Sequence, residues 1–130
     1  MPIQNSGSPR AVAAQVLQDA DSGRCLSEQL DRYLRLFPAE RALVTSLVYG
    51  VQRHRERLDL HINTHAGRRK SVRGMIRQLL RVATFELLEL RRPLDVVLAE
   101  SKAVLPVEWG PIADVLLEAI GRDATLADQG

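Results

Sequence analysis

Aromatic side chains are scarce: two Phe, two Tyr and one Trp in 130 residues. A core must therefore come mostly from Leu, Val and Ala, which leans towards helix. Cysteine is nearly absent. A lone Cys25 excludes an internal disulfide, and no motif gives it a metal-site companion or a catalytic partner, so a reducing cytosol is the simplest compartment. It reads as a small buried or half-buried residue. No stretch approaches the roughly 20 apolar residues that span a bilayer, and the start, MPIQNSGSPR, has no apolar h-region, so nothing directs the chain to a membrane. The chemistry of known catalysts is missing too. There is no convincing strand with a glycine-rich phosphate loop, no nucleophile elbow and no pair of carboxylates that stands out, so neither an enzyme nor a cofactor is read. The length suits one domain with a real core.

What is present is helical periodicity. Residues 1 to 7 are polar and read as a disordered arm. Ser8 then supplies an N-cap with Pro9 at the first helical position, and Val12, Ala13, Val16, Leu17 and Ala20 make the inner face of a first helix ending at Asp21-Ser22-Gly23. A second, from about Ser27, sets Leu30, Tyr33 and Leu34 on one side and closes at Phe37. After Pro38 comes the stretch around which the chain is organised, ALVTSLVYGVQRHRERLD (42 to 59). Leu43, Leu47 and Val51 recur at helical spacing, Gly50 interrupts, and a basic cluster follows. Glycine inside a helix costs about 1 kcal/mol relative to alanine, so Gly50 marks close packing or a change of direction. A fourth helix is expected from about His54 to His65.

Ser71 reads as the cap of a long helix from Val72 to about Leu90. Its second half, LLRVATFELLEL, is apolar on nearly all sides, as in a helix enclosed by others. Arg91-Arg92-Pro93 ends it. Asp95 caps the next helix, with Val96, Ala99, Ala103 and Val104 inward, and a last amphipathic helix after Gly110-Pro111 stops at Gly121. The expectation is an all-α fold: six to seven helices over residues 8 to 122 around a buried central helix (72 to 90), with a flexible tail from 123 to 130.

Net charge is only +2, but its distribution is uneven. Between Gly50 and Arg81 stand nine cations (Arg53, Arg55, Arg57, Arg68, Arg69, Lys70, Arg73, Arg77, Arg81) against Glu56 and Asp59. Such asymmetry suits a face for a polyanion, RNA above all, with backbone or shape recognition because aromatics are few there. The alternative is a solvated, salt-bridge-laced face, with Glu56 and Asp59 partnering nearby arginines. Arg81, on the enclosed helix, needs an acid if buried, and Glu100 on the next element is the expected partner. His61 and His65 have a spacing that can share a metal, but Ile62 stands where a zinc protease motif needs Glu, so no metal site is read.

Five segments in series carry a family resemblance: Arg10 to Leu17, Glu40 to Arg53 with its LVYGVQR run, Leu58-Asp59, Leu80 to Leu88 and Leu98 to Val104. Together they resemble the NusB-like RNA-binding domain. LVYGVQRHRERLD and Leu98-Ala-Glu100 look more like the N-terminal domain of RsmB-type rRNA cytosine-C5 methyltransferases than like the antitermination factor NusB. The resemblance implies a non-catalytic domain that binds structured, ribosomal RNA, and adds Arg10 to the RNA-binding set through the arginine-rich start of the family's first helix. As partners it implies a methyltransferase domain or, in the antitermination branch, a ribosomal protein. A protein-interaction module without RNA contact is the competing reading. Oligomeric state is left open.

Overall fold

The computed structural model describes residues 3–38, 40–66 and 72–129, with side chains described up to residue 124. Among these residues there are six α-helices and no strand: α1 (Pro9–Asp21), α2 (Leu26–Leu36), α3 (Arg41–Ala66), α4 (Gly74–Leu88), α5 (Leu94–Lys102) and α6 (Gly110–Gln129), with a 3₁₀ turn at Val107–Trp109. α1 starts as its sequence dictates. The Ser8 hydroxyl accepts from the Ala11 N–H, and Pro9 occupies the first turn, where its missing N–H costs nothing.

α4 is the axis of the bundle and packs on α1, α3, α5 and α6. Its Val82 and Phe85 join one core, shared with α1, α2 and α3 from Val44 to Leu58. Leu79, Leu80, Ala83 and Leu88 join another, shared with α5, α6 and the end of α3. Between these faces α4 also buries Gln78, Arg81, Thr84 and Glu86. An enclosed helix has no solvent side on which to leave charge, so both Arg81 and Glu86 require partners.

Several expectations are corrected. α3 is two helical segments joined across a kink at His54 (φ −106°, ψ 16°), so the fourth helix expected from about His54 is present, but the break falls there and not at Gly50, four residues earlier. Gly50 is there for close packing: a Cβ on it would overlap the Phe85 ring, 2.6 Å from Cε2. The same ring stacks on His54, centroid to centroid 6.0 Å. α4 begins at Gly74, whose φ of 62° suits glycine, and not at Val72; Ser71 lies outside the described residues. In α5 the buried residues are Val97 and Ser101; of the expected inward residues Val104, just past the helix, is buried, Val96 is half-buried, and Ala99 and Ala103 are exposed. Gly121 does not stop α6, which runs on to Gln129. Cys25 is exposed, at the N-cap of α2.

The segment read as an arm lies against the α5 end. The Gln4 N–H donates to the Val104 carbonyl at 2.7 Å, its side chain to the Leu105 carbonyl at 2.8 Å, and Asn5 Nδ2 to the Ala103 carbonyl at 2.7 Å.

Candidate nucleic-acid interface

The basic stretch runs from Arg53, just before the His54 break, along the second half of α3, and resumes at Arg73, the N-cap of α4. The break turns Arg55 towards the end of α1, where its Nη1 and Nη2 donate to Asp21 at 2.6 and 3.0 Å. Arg57 Nη1 meets Glu89, just beyond α4. Arg77 donates through Nε to the Val72 carbonyl at 2.9 Å, through Nη1 to Asp59 at 3.1 Å and through Nη2 to Asn63 at 2.8 Å. Three expected RNA contacts therefore already hold protein oxygens. Arg53 and Arg73 are exposed and make no ion pair with another described residue. Arg68, Arg69 and Lys70 lie outside the described residues.

Under this face runs a buried layer that sequence reasoning paired differently. Arg81 is not joined to Glu100. Its Nε and Nη2 form a two-pronged fork on Asp59, both at 2.8 Å, and its Nη1 lies 3.4 Å from Asp21. Asp21 also accepts from Gln78 Nε2 at 2.7 Å. Glu100 belongs to a second cluster, in which Arg10 and Arg92 both bridge it to Glu86; Arg10 Nη2 stands 2.8 Å and Arg92 Nη1 3.3 Å from Glu86 Oε1. Arg10 is thus 8% exposed, with its guanidinium turned inward, and is not presented to a partner. The physical reason is Glu86, which is 0% exposed and requires a cation.

Burial alone would raise the pKa of Asp59, but hydrogen bonds and charge from Arg81, then Arg77, outweigh it and hold the group below its ordinary 3.8. Asp21 is lowered in the same way: burial is opposed by Arg55, Gln78 and Arg81. A carboxylate whose pKa falls on folding stabilises the fold above its unfolded value, and that stability disappears as pH drops through the folded value. The urea midpoint is therefore expected to decline as pH is lowered past 3.8. Asp59→Asn should cost stability at neutral pH and flatten the acid decline; an equally steep decline in that variant would count against the assignment.

His61 and His65 do not converge on a metal. His65 Nε2 lies 2.6 Å from Asp123, and among the described residues no group of three His, Cys, Asp or Glu side chains could hold an ion. No helix among them is long and apolar enough to cross a membrane.

Fold and surface together define an all-α bundle built on an enclosed helix, one side of it laced with arginine–carboxylate pairs. The chain belongs to the NusB family, whose model matches residues 7–104. It is also 37% identical over 87 residues to the ribosomal RNA small subunit methyltransferase B of Thermus thermophilus, a match covering 65% of this chain and 22% of that protein. The chain thus spans about a fifth of that relative's length, 22%. No solved structure matches. The matched span takes in α1 to α5 and both buried ionic clusters, and the methyltransferase likeness accords with the reading of LVYGVQRHRERLD.

Proposed function

We propose that this chain is a non-catalytic, cytoplasmic RNA-binding domain that meets structured ribosomal RNA with the cationic side of α3 and the start of α4, the chemistry on that RNA being supplied by a methyltransferase domain. The supporting observation is that Arg53 and Arg73 are exposed and form no ion pair with another described residue, while Arg55, Arg57 and Arg77 keep further donors. A guanidinium carries five N–H donors, so one carboxylate does not exhaust it. Arg68, Arg69 and Lys70 join α3 to α4 in sequence and add three cations to the same connection. The similarity to a protein named for ribosomal RNA makes that RNA the first partner to try.

The competing reading, a solvated face on a protein-interaction module, draws support from the carboxylates already held by Arg55, Arg57 and Arg77. Electrophoretic mobility shift of rRNA fragments separates the two. Wild type should bind with steep salt dependence, and Arg53→Ala/Arg73→Ala should weaken binding and lower the log–log slope by about 1.4 to 1.8, at roughly 0.7 to 0.9 per lost phosphate contact. Binding that ignores salt, or no binding, would remove the RNA reading.

A further inference from the structure

A second concentration of cations lies in a cleft of about 490 Å³ between the second half of α3, the α4–α5 turn and α6. Arg57 and His61 line it from α3, Arg91 and Arg92 from the turn, and Arg122 from α6; Glu118 is the acid in the lining. We propose that this cleft seats a backbone phosphate of the bound RNA. The proposal rests on the RNA-binding reading above and adds to it a recessed anion site reached past Arg57.

Four arginines from three separate elements line one concavity, which no run of basic residues in the sequence announces. The protein partners of two of them leave donors over. Arg57 meets Glu89 through Nη1 and Arg122 meets Glu118 through Nη2, so the remaining N–H groups of each planar fork are available to an oxyanion, the two-point geometry in which arginine binds phosphate best. Arg91 stands at φ 52°, a left-handed conformation that glycine or asparagine adopts more cheaply. That turn returns the Arg92 N–H to the Glu86 carbonyl at 3.0 Å and delivers two successive arginines to the cleft rim.

His61 has its pKa lowered from 6.5, first by burial and then by the charges of Arg57 and His65, against an opposing pull from Asp123. An anion seated among the arginines reverses the second effect and raises that pKa.

The test uses the full chain and a fluorescein-labelled stem-loop cut from small-subunit rRNA, with His61 ring protons followed by NMR over pH. Wild type should bind, and the stem-loop should raise the His61 pKa. Arg91→Asn/Arg122→Ala keeps the left-handed turn accessible and leaves the buried clusters intact; it should bind several-fold more weakly, with a salt slope lower by about 1.4 to 1.8. A thermal melt matching wild type shows that the variant is folded. If it binds as wild type does while Arg53→Ala/Arg73→Ala does not, the cleft is overturned and the RNA reading stands. If wild type binds no RNA, both fall. If inorganic phosphate moves His61 but the stem-loop does not, the site takes a small phosphate and the proposal is overturned for RNA.

Discussion

Arg10→Met is expected to destabilise the domain by about 3 kcal/mol or more, the cost of leaving a buried charge without its counter-ion. The charge left behind is Glu86, fully enclosed on α4. Arg10 reaches it through both Nε and Nη2, and Arg92 at 3.3 Å is the longer contact that would remain. Burial pushes the Glu86 pKa above its ordinary 4.5, with Glu100 adding to the rise and Arg10 and Arg92 opposing it. Removing Arg10 raises it further.

The sign of the pH dependence follows. A carboxyl whose pKa is raised on folding contributes most below its unfolded value, and the contribution is lost as pH rises through the folded value. The gap between Arg10→Met and wild type in urea melts should therefore be smaller near pH 4 than at pH 7. Arg10→Met/Glu86→Leu should regain much of the loss, since a buried ion pair replaced by apolar groups is often neutral or better. If the single variant is as stable as wild type and instead loses RNA affinity, Arg10 is a surface contact and the buried assignment fails.

Gly50→Ala is the second large effect. Alanine is the better helix former by about 1 kcal/mol, so on propensity alone the change would stabilise α3. Against this, the new Cβ would sit 2.6 Å from Phe85 Cε2, and the ring is confined by the stacked His54. Overpacking of this kind costs roughly 1 to 3 kcal/mol, and a buried ring with little room to move belongs at the upper end. A net loss in urea melts is expected, larger for Gly50→Val. Phe85→Leu in the Gly50→Ala background should recover part of it, giving a coupling energy of about 1 kcal/mol or more between residues in contact. Additive losses would mean that Gly50 and Phe85 do not share the space.

These residues also show where the sequence is readable. Ser8-Pro9 announces α1 because cap and proline act locally, and the apolar run around Leu80 to Leu88 announces an enclosed helix because burial on all sides leaves no polar stripe. Gly50 was ambiguous for a physical reason: a glycine licenses either a bend or a close approach, and only the position of Phe85 decides. Arg81 plainly needed an acid, but which acid depends on how α4 crosses its neighbours. Asp59 and Asp21 faced it and Glu100 did not. Arg57 is legible as part of the basic stretch, but Arg91, Arg92 and Arg122 join it in the cleft through packing alone.

Seen from α1, the two buried clusters carry a further meaning. Arg10 lies in its first turn and Asp21 in its last, so each charge opposes the helix dipole, at about 0.3 to 1 kcal/mol apiece. An isolated α1 is therefore mis-charged at both ends. The arrangement is favourable only when α4 lies antiparallel, setting Glu86 beside Arg10 and Arg81 beside Asp21. Docked the other way round, α1 would confront Arg81 with Arg10 and Glu86 with Asp21, two like-charge contacts against the enclosed charges of α4. The helix thus carries its own polarity check, and a chain with Arg10 and Asp21 exchanged would hold a better isolated helix and a worse protein.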